Sequence, residues 1–89
     1  MKINLDTPIK LEHRGSKAEK LGEVIKTAMF QAPGKGSRGI YDKVAKSITE
    51  KKSAVELSIS ELSTIQEAVN MTYIPGVQWQ VDDVINGKS

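Results

Sequence analysis

Residues 54–70 read AVELSISELSTIQEAVN, and the spacing of their apolar residues changes halfway along. Over residues 54–59, apolar and polar side chains alternate, which is the spacing of a strand. Beyond them, apolar residues recur at every third or fourth position, as on one face of a helix. Ser58 and Glu61 have the spacing of a capping box, in which each side chain accepts a hydrogen bond from the other residue's amide. The stretch therefore predicts a short strand that leads directly into a capped helix near residues 60–71.

A second alternating segment lies at the start of the chain. Residues 2–11 place apolar side chains at alternate positions, so they predict a half-buried strand. Pro8 has no amide hydrogen to donate, so this strand either lies at a sheet edge or breaks at that residue. We expect it to pair antiparallel with residues 54–59. Because a two-stranded ribbon is only marginally stable by itself, helices must cover one of its faces.

Two more helices are expected between the paired strands. Apolar residues at helical spacing predict one helix near residues 17–30, and Ser16 with Glu19 predicts a second capping box at its start. The other helix is predicted near residues 38–50, with Ser37 as its N-cap.

The C-terminal segment allows two interpretations. Residues 77–81 alternate apolar with polar, which indicates a strand. The apolar pattern continues beyond them, with Pro75 suited to the first helical position and Gly87 suited to the position after the last, which indicates a helix near residues 76–86. We adopt the helix. In a helix Trp79 points away from the valines, whereas in a strand it joins them in the interior.

Composition restricts the chemistry that the chain can perform. Its 89 residues predict a single domain over residues 1–89, and they include no cysteine and one histidine, His13, in a predicted turn. A disulfide framework, thiolate chemistry and a zinc site built on His and Cys are therefore excluded. No nucleophile has an identifiable base, so we expect no enzyme activity, no catalytic residues, no cofactor and no metal.

The chain is expected to work in the cytoplasm. No apolar run approaches the roughly 20 residues of a membrane span. The N-terminal residues also lack the continuous apolar region of a signal peptide. We therefore expect no membrane partner.

The net charge of +2 is divided unequally along the chain. Residues 1–52 hold 12 Lys and Arg against 6 acidic residues, a net charge of +6, whereas residues 53–89 hold one Lys and 5 acidic residues, a net charge of −4. This division indicates either a basic surface that meets an anionic partner, or two halves that face each other within the fold or across a homodimer.

Candidate protein-interface residues lie in the acidic half of the chain. An exposed Trp beside apolar groups is typical of an interface hot spot, although the one Trp of a small domain can equally be part of the core. Adjacent aspartates on a helix point about 100° apart. They therefore cannot act as a catalytic pair, but they can belong to an acidic patch that engages a basic partner. The candidate interface residues are Tyr73, Ile74, Trp79, Asp82 and Asp83.

The alternative function is nucleic-acid binding by the basic half. The loop of residues 34–39, GKGSRG, precedes a helix, where free amides and cations can hold a phosphate, although a plain linker has the same composition. The loop lacks the spacing of a Walker A motif, and the whole connection is too long for a helix-turn-helix. The candidate nucleic-acid contacts are Lys35, Arg38, Lys43 and Lys46.

Residues 57–88 resemble the C-terminal ends of small phage- or prophage-encoded proteins of unknown function. In those proteins a helix with a Ser-x-x-Glu start is followed by a Tyr-x-Pro step and a final helix. Ser58, Glu61, Tyr73 and Pro75 carry the resemblance, which points to no named family. It implies a binding role towards a host or phage protein in the host cytoplasm, and a helical C-terminal segment.

The sequence thus predicts a small, mostly helical α+β domain in which about four helices pack on a two-stranded antiparallel β ribbon. Its expected function is non-enzymatic protein binding, as a phage-type modulator of a host or phage protein. A homodimer is a further expectation, and nucleic-acid binding is the alternative.

Overall fold

The computed structural model describes residues 2–11, 18–31 and 36–86. Where the apolar spacing changes near residue 58, a strand is followed by a helix. Along the described residues the elements are β1 (Lys2–Asn4), β2 (Pro8–Lys10), β3 (Ala18–Lys20), α1 (Leu21–Gln31), α2 (Ser37–Thr49), β4 (Ala54–Glu56), α3 (Ile59–Thr72) and α4 (Pro75–Ile85). The predicted α+β class is confirmed, because helices pack against antiparallel strands.

β1 and β4 form the predicted antiparallel ribbon, but β4 ends at Glu56 and not at the predicted Ile59, which is the first residue of α3 and is 85% exposed. Ile3 lies opposite Val55, and both side chains are buried, as alternation on a half-buried strand requires. The Leu5 amide extends the pairing by donating to the Ser53 carbonyl oxygen at 2.7 Å. The strand before α3 therefore joins the N-terminal segment to the second half of the chain.

The second half of the N-terminal segment pairs elsewhere, which corrects the prediction of one strand over residues 2–11. β2 pairs antiparallel with β3, with Ile9 opposite Glu19. The chain turns between β1 and β2, where the Asp6 amide donates to the Asn4 side-chain oxygen at 2.8 Å. The described residues thus contain two short ribbons in place of the one predicted.

Helix α1 begins at Leu21 and not near residue 17, so the capping box predicted at its start was wrong. Glu19 lies in β3, which removes it from the helix, and Ser16 lies outside the described residues. The first amides of α1 are satisfied instead by carbonyl oxygens of the turn between β1 and β2. Leu21 donates to Thr7 at 2.8 Å, and Gly22 donates to Leu5 at 3.0 Å.

Gly22 allows α1 to pack closely against two neighbours. A Cβ atom at this position would lie 3.0 Å from Ile48 Cδ1 of α2 and 3.3 Å from Leu5 Cβ. Both distances are shorter than ordinary van der Waals contact, so a larger side chain would force a neighbour to move.

Ser37 is not the N-cap of α2, which corrects a second prediction. It is the first residue of the helix and is buried, and the N-cap is Gly36, whose φ of 85° is left-handed. The adjoining residues 32–35 lie outside the described residues, as do the predicted turn at His13 and the predicted helix stop at Gly87.

The buried side chains of α1 belong to the hydrophobic core, and α1 contacts both α2 and α3. α4 packs on α3, β1 and β2 and is helical over Pro75–Ile85, so the helical interpretation of the C-terminal segment is confirmed. Among the described helices, none has both the length and the apolar character that crossing a membrane needs.

Candidate protein-binding surface

The N-terminus of α3 is held by the capping box that its sequence predicts. The Ser58 amide donates to Glu61 Oε1 at 2.9 Å, and the Glu61 amide donates to Ser58 Oγ at 3.2 Å. Lys43 of α2 donates to both oxygens of the same carboxylate, at 3.1 and 3.0 Å. The Ser58 amide, and then the Lys43 ammonium group, hold the pKa of the Glu61 carboxyl group below its ordinary value. One glutamate thus caps α3 and ties it to α2.

Helix α4 is oriented by its buried face and by one polar side chain. Val77 and Val81 are buried in the core. Gln80 Oε1 accepts from the Lys10 amide at 2.8 Å, and Gln80 Nε2 donates to the Lys10 carbonyl oxygen at 2.8 Å. The side-chain amide therefore pairs with β2 as a further strand would, on the edge that β3 does not occupy. The backbone nitrogen of Pro8 points to this same edge, because it lies two residues before Lys10 on the strand. The amide hydrogen that proline lacks would therefore not have bonded to β3.

This orientation leaves the indole of Trp79 on the outer face of α4. Two residues along a helix turn a side chain by about 200°, so Trp79 points away from Val77 and Val81. Trp79 is 68% exposed, Met71 in the last turn of α3 is 66% exposed, and Ile74 at the N-cap of α4 is 53% exposed. Three large exposed apolar side chains therefore lie on the last turn of α3, at the N-cap of α4 and on the outer face of α4.

Two exposed carboxylates accompany these apolar side chains. Asp83 follows Trp79 by four residues on α4, and Glu67 precedes Met71 by four residues on α3. Residues four apart are neighbours on the surface of a helix, so each carboxylate lies beside a large apolar side chain. We call Glu67, Met71, Ile74, Trp79 and Asp83 the α3–α4 surface.

Two of the predicted interface residues serve the packing between elements. Tyr73 is half-buried against the core. Burial raises the pKa of its phenol. Asp82 Oδ1 accepts from Gln66 Nε2 at 3.1 Å, which links α4 to α3. The other three predicted interface residues belong to the α3–α4 surface.

Three large exposed apolar residues were not predicted, namely Phe30, Ile59 and Met71. Met71 lies outside the buried side of α3, so a helical projection of that helix would have found it. Phe30, at the end of α1, is 81% exposed, and its ring centre lies 6.3 Å from that of Tyr41. No pattern in the sequence marks Phe30, because its surroundings depend on where α2 packs.

The candidate nucleic-acid contacts are partly engaged with carboxylates. Lys35 lies outside the described residues. Arg38 Nε lies 4.0 Å from Asp42 Oδ2, and Lys43 is held by the capping box of α3. Lys46 is exposed on α2. Two of the three described residues therefore already face an acidic side chain.

The α3–α4 surface offers the exposed apolar area that the centre of a protein interface needs, together with two exposed carboxylates. Among the described residues, no group of three or more His, Cys, Asp or Glu side chains is placed to hold a metal ion. Comparison with known proteins finds no match: no family model, curated protein or solved structure matches this chain.

Proposed function

We propose that this protein is a non-enzymatic protein-binding module whose partner protein binds to the α3–α4 surface. The exposed indole of Trp79 is the observation that carries the proposal, because 68% of this residue reaches solvent although α4 itself is packed on α3 and two strands. Tryptophan is enriched in interface hot spots, since its large ring buries much apolar area when a partner covers it.

The position of the surface on two anchored helices supports the same role. α4 is fixed to β2 by Gln80, and α3 is fixed to α2 by Glu61. A surface held in this way loses little conformational entropy when a partner binds, so more of the contact energy appears as affinity. Met71 at the end of α3 and Ile74 at the start of α4 expose further apolar area.

The resemblance to small phage- or prophage-encoded proteins supports a host or phage protein as the partner. Residues 57–88, which carry that resemblance, include the whole α3–α4 surface. A modulator of this kind acts by occupying a surface of its target, so it needs no catalytic group. Nucleic-acid binding through α2 has less support, because Arg38 and Lys43 already face carboxylates.

Trp79→Ala tests the proposal. Because the indole points away from the core, the free energy of unfolding is expected to change by no more than about 0.5 kcal/mol. Partner binding is expected to weaken by about 2 kcal/mol, which is roughly thirtyfold in Kd. Immobilised wild-type and variant proteins would be incubated with a lysate of the cells that make the protein, and the retained proteins compared by quantitative mass spectrometry.

Phe30→Ala is the matched control, because it removes an aromatic side chain that is also exposed, at 81%, but lies on α1. This variant should retain the wild-type partners. The proposal fails if Trp79→Ala retains the same proteins in the same amounts as wild type. It also fails if the variant does not fold, since Trp79 would then be a packing residue.

A further inference from the structure

The charge of the α3–α4 surface narrows the chemistry of the partner. Residues 53–86 contain no Lys or Arg, and Lys88 lies outside the described residues. Glu67 and Asp83 are exposed, and neither has an ion-pair partner among the described residues. The apolar side chains of the surface are therefore accompanied by negative charge that the described structure does not offset.

We propose that the partner is a basic, amphipathic protein segment that places an Arg or Lys side chain across Trp79 and Asp83. This inference rests on the proposed function. The aliphatic stem of such a side chain packs on the indole, its cation is attracted to the face of the ring, and its charge meets the carboxylate four residues further along α4. Met71 and Glu67 repeat on α3 the combination of an exposed apolar side chain and a carboxylate four residues apart.

A second copy of this chain fits the surface less well. In a two-fold symmetric dimer the same surface meets itself. Glu67 and Asp83 of one copy would then face the same carboxylates of the other copy, and residues 53–86 provide no cation to separate them. Like charges brought together across an interface oppose association, whereas a basic segment is attracted.

Trp79 is the only tryptophan of the chain, so its fluorescence reports directly on this surface. The probe is a synthetic amphipathic helical peptide of leucine and arginine, and its matched control replaces every arginine with glutamate. The arginine peptide is expected to shift the emission to shorter wavelength, with an apparent Kd that rises with salt because salt screens the charge pairs. The glutamate peptide is expected to leave the emission unchanged.

Neutralising the carboxylates tests which charges attract the peptide. In the double variant Asp83→Asn with Glu67→Gln, the apparent Kd for the arginine peptide is expected to rise about fivefold to tenfold, the range for two partly exposed charge pairs. Asp42→Asn is the control, because it neutralises an exposed carboxylate on α2 and should leave the Kd unchanged.

The cationic partner is ruled out if the arginine peptide leaves the emission unchanged, if the glutamate peptide gives the same shift, or if the double variant binds as wild type does. Self-association of the wild-type protein in sedimentation velocity, strengthened in the double variant, would overturn it in favour of a second copy. A partner that depends on Trp79 but ignores the charge variants leaves the proposed function standing and removes only its cationic chemistry. Loss of the proposed function itself is detected separately, by the Trp79→Ala comparison in the lysate.

Discussion

Lys51 has a left-handed backbone, with a φ of 59°, directly after the C-cap of α2. Its amide donates to the Ile48 carbonyl oxygen at 3.0 Å, and the Lys52 amide donates to the Ser47 carbonyl oxygen at 2.8 Å. These two bonds form a Schellman motif in which Lys51 occupies the position where glycine is usual. A residue with a Cβ atom is strained there by roughly 1–2 kcal/mol.

Lys51→Gly is expected to raise the free energy of unfolding by about 0.5–1 kcal/mol, because relief of the strain exceeds the extra entropy of glycine in the unfolded chain. Urea denaturation followed by circular dichroism measures the change. Lys51→Ala removes the charge but keeps the Cβ atom, so it should give no comparable gain. An equal gain in both variants would assign the effect to the charge of Lys51 and not to its backbone.

The N-terminal ends of α3 and α1 show that a local pattern predicts a helix end only where distant residues do not intervene. The cap of α3 uses Ser58 and Glu61, so the pattern alone contains it. Ser16 and Glu19 have the same pattern, but Glu19 is drawn into β3 by pairing with β2. The start of α1 is then set by carbonyl oxygens of the turn after β1, which no local pattern reveals.

Ser58→Ala is expected to lower the free energy of unfolding by about 1 kcal/mol, because the Glu61 amide in the first turn of α3 loses its acceptor. Ser63→Ala makes the same chemical change at an exposed position inside α3, where alanine is the better helix former, so it should be neutral or slightly stabilising. Urea denaturation of both variants measures the difference. If both variants lost the same free energy of unfolding, the hydrogen bond from the Glu61 amide to Ser58 would not stabilise the start of α3.

The outward position of Trp79 could be predicted from helical spacing, but the full composition of the surface could not. Trp79 is opposite the buried valines whatever the rest of the chain does. Tyr73 and Asp82 are also near Trp79 in sequence, yet Tyr73 packs against the core and Asp82 accepts a hydrogen bond from Gln66 of α3. Which polar residues remain free is therefore decided by how the helices pack.

The oppositely charged halves of the chain meet in the fold where Lys43 Nζ lies 3.0 Å from Glu61 Oε2. This ion pair joins α2 of the basic half to α3 of the acidic half. Since the same carboxylate also caps α3, its ionisation supports both a helix end and a contact between helices. Part of the opposite charge of the two halves therefore forms an ion pair within the fold. The acidic groups that remain exposed on α3 and α4 are available to a partner.

Acidification is expected to weaken this link through Glu61. The Ser58 amide, and then Lys43, hold the pKa of its carboxyl group below the ordinary glutamate value of about 4.3, so the folded protein takes up this proton less readily than the unfolded chain. The resulting stabilisation is fully present above about pH 4.3, and it is lost as the pH falls through the lowered pKa of the folded state.

Urea denaturation of wild type and Glu61→Gln over a series of pH values tests this directly. Wild type should be more stable by about 0.5–1 kcal/mol at neutral pH, and the difference should shrink towards zero in acid, where both side chains are uncharged. Lys43→Met should keep the larger part of the pH dependence, because the bond from the Ser58 amide remains. A difference between wild type and Glu61→Gln that stays constant down to the acid limit would show that the charge of Glu61 does not stabilise the fold.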